Sequence, residues 1–179
     1  MTIAPDEYRL EDIIRDHPLD VGVFVPFAIA RLRGEADATE AMLTVSIRHV
    51  GGAGETQRRL RLWWSGDSAP TQPLGVQERA VTEWAACGVA CAILAAYTRL
   101  RLREVALSGD RFDYWVDEGG QEFGLEVSGT VTDEVEARHR VKVRQLRDNP
   151  YGVDGYVIVV GFATGEVIFS FQRFQEEVL

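Results

Sequence analysis

Lysine is almost absent. Lys142 is the only one, which leaves 18 arginines among the 19 Lys and Arg residues. Cysteine and histidine are scarce as well. Cys87 and Cys91 stand four apart inside an apolar stretch, and the three histidines, His17, His49 and His139, are scattered along the chain. Two thiols so placed read as small core residues, and a zinc site would need more ligands than this spacing supplies. A reducing, cytoplasmic compartment is the natural expectation.

Long hydrophobic runs are missing too. The amino terminus, MTIAPDEYRLEDIIRDH, is acidic and has no apolar region of the secretory-signal kind. The most apolar stretch, Trp84 to Tyr97, has 14 uncharged residues and is bracketed by Glu83 and Arg99. That is too short for a bilayer, so a buried helix is expected and no membrane partner.

Positive charge is in deficit. The net charge of −9 argues against indiscriminate nucleic-acid binding by the whole surface. The basic residues are nevertheless clustered, with Arg138, Arg140, Lys142, Arg144 and Arg147 and no acid between 138 and 147. Smaller groups lie at Arg58, Arg59 and Arg61 and at Arg99, Arg101 and Arg103. A solvated helix face and a local patch for an anion such as nucleic acid both fit these clusters.

What is present is a 46% hydrophobic chain of 179 residues, enough to bury a real core. Residues 6–16 place Leu10, Ile13 and Ile14 on one helical stripe with Asp6 as cap. VGVFVPFAIARL reads as an extended run, with Pro26 marking an edge strand or bulge. AMLTVSIRHV alternates, GGAGE turns the chain, and RRLRLWW alternates back with Leu60, Leu62 and Trp64 inward, which predicts a hairpin. The Ser-, Gly- and Pro-rich segment 65–75 is the clearest linker. It divides a β-rich part, 1–65, from an αβ core, 76–179, with 66–75 between them.

The core opens with a helix expected over 76–103, with Trp84, Cys87, Cys91 and Leu94 on its apolar side. Strands are expected at 112–116 and 124–128 around the Gly119–Gly120 turn. A polar helix follows over 132–148, then strands at 156–160 and 167–171. The fold class expected is α/β (α+β), a mixed sheet flanked by helices.

Two acids interrupt this sheet, Asp113 at the start of one strand and Glu126 in the middle of the next. On LEVSGT, Glu126 and Ser128 face one side and Leu125 and Val127 the other. The hairpin turn would bring Asp113 and Glu126 onto adjacent strands. Two neighbouring carboxylates repel each other and are costly to desolvate unless a cation joins them. Mg²⁺ or Mn²⁺ would suit, since a hard divalent ion takes one or two carboxylates and keeps several waters. Exposure on a sheet face, or pairing with arginines, is the plain alternative.

An acid on one strand, then the place of an acid-x-basic tripeptide on the next, then a polar helix and further strands resemble the PD-(D/E)XK nuclease-like superfamily. The likeness covers roughly residues 76–174. It implies a restriction-endonuclease-like core, with Asp113 and Glu126 as metal ligands and Glu83 or Glu78 as an additional acid. Gln145 and Tyr151 fall where some members carry Gln and then Tyr. The chain departs from the pattern in two places. Ser128 stands where the motif lysine belongs, and Phe112 where a proline precedes the first acid.

Arg138, Lys142 and Gln145 share a helix face at i, i+4, i+7. In this superfamily the lysine can migrate to that helix, so Lys142 becomes the expected replacement. Arg138 and Gln145 become expected contacts to substrate phosphate, and Ser128 a contributor to the catalytic set. Three functions remain open at this stage. One is a metal-dependent nuclease of processing or defence, which a homodimer would suit. Another is a degenerate nuclease-like module binding a protein partner. The last is a structural or inhibitory protein.

Overall fold

The computed structural model describes residues 4–49, 54–66 and 76–174. Its framework is one mixed eight-stranded sheet with four helices. The strands are β1 (Asp6–Arg9), β2 (Glu40–Arg48), β3 (Glu55–Trp63), β4 (Arg101–Val105), β5 (Tyr114–Glu118), β6 (Gln121–Thr130), β7 (Gly155–Gly161) and β8 (Glu166–Gln172). The helices are α1 (Ile13–Asp16), α2 (Val25–Leu32), α3 (Glu78–Tyr97) and α4 (Val135–Arg147). The sheet order is β1-β3-β2-β8-β7-β6-β5-β4. The β1/β3, β2/β8 and β6/β7 pairs are parallel, and the others antiparallel. Because β2 pairs with β8, strands from before and after the linker belong to one sheet. Most of that linker, 67–75, lies outside the described residues, as do the turn residues 50–53.

The centre of the sheet is buried on both faces, which is why β7 carries a near-continuous apolar run, while β6 is buried from Phe123 to Thr130 although polar residues alternate along it. Leu125, Val127, Ile158, Val160, Val167 and Phe169 pack with α3 in the main core. Val157, Val159 and Ile168 point the other way and pack under α4 against Val135 and Leu146. The alternation along β6 therefore sends Glu126 and Ser128 toward α4. α2 lies on α3 at Gly88, where an added Cβ would sit 3.0 Å from Ala28 Cβ and 3.2 Å from the Phe24 carbonyl.

Three expected elements differ. Residues 6–9 form an edge strand beside β3, with Asp6 paired to Arg58 rather than capping a helix. Only Ile13–Asp16 is α-helical there, and Ile14 is exposed. The run containing Pro26 is helix α2, with the proline in its first turn, where a missing N–H costs nothing and a fixed φ helps. The long helix stops at Tyr97. Thr98 Oγ1 donates to the Leu94 carbonyl at 2.6 Å, and 101–105 leaves as β4 to pair with β5. Trp84 lies at the rim of α3, 41% exposed and edge-on to Phe27, rather than in the core. At 20 residues α3 is long and apolar enough to cross a membrane by length and composition, and most of it is buried within the fold.

The expected hairpin is present, with Leu43, Val45, Leu60, Leu62 and Trp64 all buried. The expected strands at 124–128, 156–160 and 167–171 fall inside β6, β7 and β8. β5 begins at Tyr114, one residue past Asp113, and pairs with β6 across the turn at Gly119 and Gly120, whose φ values are +60° and +88°.

Candidate active site

The site forms where β5 parts from β6. Their ladder ends at Tyr114–Leu125, so from Glu126 onward β6 has no strand on that edge. Backbone donors left there need partners. Asp113 Oδ2 accepts from Val127 N at 2.8 Å, and Glu83 Oε2 from Gly129 N at 3.3 Å. Two carboxylates thus take the place of a missing strand. Glu83 reaches across because α3 presses against Gly129, where a Cβ would come 2.7 Å from the Thr82 carbonyl oxygen.

Glu126 is fully buried. Its Oε1 accepts from Lys142 Nζ, and Lys142 also donates to Gln145 Oε1 at 3.4 Å. Glu126 Oε2 is buried with no hydrogen-bond partner. Burial, then the nearby Asp113 charge, push the Glu126 pKa up to about 8 against the pull of Lys142. Burial also raises the Asp113 pKa, opposed by the Val127 N–H and by Lys142, and reinforced by Glu83. The two acids therefore interact, in a setting where neither charge is comfortable.

Ser128, also fully buried, donates to Glu83 Oε1 at 3.3 Å and accepts from Arg138 Nη1 at 3.3 Å. Arg138 lies 3.9 Å from Glu83. The fold thus brings Asp113, Glu126, Ser128, Arg138, Lys142 and Gln145 to one place, with Glu83 as the added acid. Glu78 lines the same cleft as Glu83 but pairs with Arg31 and touches none of these groups. Tyr151 donates to Asp110 at 2.8 Å beside the site. The Lys142 face of α4 is not a solvated one, since its side chain is only 20% exposed.

Open clefts flank the acids. One, of about 670 Å³, is lined by Thr82, Glu83, Thr130, Thr132 and Arg138; the other, of about 540 Å³, by Arg111, Phe112, Asp113 and Gln145. Sequence reasoning passed over Asp110 and Arg111, although the Ser-Gly-Asp turn so close to Asp113 marks a constrained loop.

Among the described residues no group of three or more His, Cys, Asp or Glu side chains is arranged to hold a metal ion. A cation here would rest on the Asp113 and Glu126 carboxylates and complete its shell with other oxygens. That donor set suits a hard divalent ion and no soft one. No family profile, no curated protein and no solved structure matches this chain.

Proposed function

We propose that the chain hydrolyses phosphodiester bonds of nucleic acid, with Asp113 and Glu126 holding Mg²⁺ or Mn²⁺ on a restriction-endonuclease-like core. The observation that carries this reading is the placement of the only lysine against the buried acid. Lys142 donates to Glu126 from a separate helix, whereas Ser128, two residues along β6, stands where the motif lysine would be. The fit to a hard cation rests on the unpartnered Oε2 of Glu126 and on the like charge of Asp113 beside it. Such an ion supplies polarisation of a phosphoryl oxygen and acidification of water.

The remaining work falls to the chain's own groups. Lys142, tethered by Gln145, offers positive charge where negative charge develops on the phosphate. Ser128, gripped by Glu83 and Arg138, offers an oriented hydroxyl without charge. Arg138 and Gln145 stand on the two sides of Lys142 and line different clefts, which suits a strand running through the site.

A second reading, a site that binds a protein partner without cleaving, is favoured by one fact. Lys142 already engages the Glu126 oxygen that a metal ion would take. The test is a cleavage assay on single- and double-stranded DNA and RNA with Mn²⁺, for wild type and Glu126→Ala. Metal-dependent cleavage lost in Glu126→Ala is expected. No cleavage of any substrate by wild type overturns the nuclease reading in favour of the second.

A further inference from the structure

We infer that Arg111 is the phosphate-gripping residue on the Asp113 side of the site. This rests on the reading above for the identity of its ligand, a nucleic-acid backbone phosphate. The loop between β4 and β5 is closed at its base by Ala106 N donating to the Asp113 carbonyl at 2.9 Å. Its interior is braced by Asp110, whose buried carboxylate accepts from Leu107 N at 2.7 Å and from Tyr151 Oη at 2.8 Å. Arg111 and Asp113 are therefore held in a set relation.

Arg111 sits at φ +68°, the only non-glycine residue at positive φ among the described residues. Glycine adopts that conformation freely, whereas a side chain there costs free energy. Strain of this kind at a cleft points to a use for the side chain that bears it. Arg111 lines the same cleft as Asp113 and Gln145. It is exposed and closes no hydrogen bond or ion pair among the described residues. Lys142 and Arg138 are engaged, with Glu126 and with Ser128. Among the described residues Arg111 is thus the cation left free in the cleft that holds Asp113, and a guanidinium can give a phosphate two parallel hydrogen bonds.

The experiment measures binding of a short fluorescein-labelled single-stranded oligodeoxynucleotide in EDTA across a salt series, together with melting temperature. Arg111→Gly should weaken binding on the order of tenfold and lower the log–log salt slope by about 0.7, one phosphate contact. It should melt no lower than wild type, because the strain is relieved. Arg111→Lys should retain part of the binding. Unchanged affinity and slope in Arg111→Gly, or a wild type that binds no oligonucleotide, overturns the assignment. A wild type that binds through Arg111 but cleaves nothing with Mn²⁺ overturns the nuclease reading and leaves Arg111 in its role.

Discussion

Replacing Glu126 by glutamine keeps the size of a fully buried side chain and removes its capacity for charge. In the native protein its pKa is pushed from 4.5 to about 8 by burial and by Asp113. A carboxyl with a raised folded pKa holds its proton more tightly in the native state than in the unfolded one. Its contribution to stability is full below about pH 4.5 and is lost as pH rises through about 8. Each unit of difference corresponds to about 1.4 kcal/mol. The pull of Lys142 is already contained in that net shift. Glu126→Gln should therefore match wild type near pH 4 and exceed its stability by roughly 4–5 kcal/mol near pH 9. Urea unfolding in EDTA across that range measures the difference. A difference that does not vary with pH, or a glutamine variant less stable at high pH, would refute the reasoning. It would mean that Lys142 alone keeps Glu126 comfortably ionised.

Lys142→Ala should reduce metal-dependent cleavage by about 10²–10³-fold, or ~3–4 kcal/mol, with Lys142→Arg restoring only part. Cleavage that survives Lys142→Ala removes the lysine from the mechanism, and circular dichroism checks the fold of this part-buried position. Mn²⁺ at a hundredfold excess over its dissociation constant should stabilise the wild type by about 2.7 kcal/mol and Glu126→Ala not at all. A melting temperature indifferent to Mn²⁺ in both proteins counts against the metal site. Gly129→Ala should destabilise by about 1–3 kcal/mol, because its Cβ would meet the Thr82 carbonyl and drive α3 off β6. A variant as stable as wild type in urea would show that α3 is free to shift.

Local pattern and tertiary context divide the molecule between them. Alternation of apolar and polar residues is a property of neighbours, so β2, β3 and β6 could be read directly, and the Gly119–Gly120 turn placed the β5–β6 hairpin. The order of elements from β5 to β8 followed from the same signals, as did the direction of Glu126 and Ser128 away from Leu125 and Val127. Where a segment suits two structures, its neighbours in space chose. The run around Pro26 became a helix because α3 offers Gly88 as a seat for it. Residues 6–9 became a strand because the edge of β3 was open, and 101–105 left the helix because β5 needed a partner.

The site divides in the same way. Asp113 and Glu126 were visible as acids misplaced in a sheet, and Lys142 as the only lysine. Their meeting depends on α4 crossing β6 with Lys142 turned inward, a packing that no local period encodes. Glu83 could not be told from Glu78 by sequence. Only the close approach of α3 at Gly129 put one against the open edge of β6 and left the other pairing with Arg31. Arg111 carried no signal beyond its place in a turn, since the sign of its φ is set by a loop closed from Ala106 to Asp113. Residue types and their spacing determined which groups were available for chemistry here. Which of them touch was decided by contacts between segments distant in sequence, where packing sets the geometry.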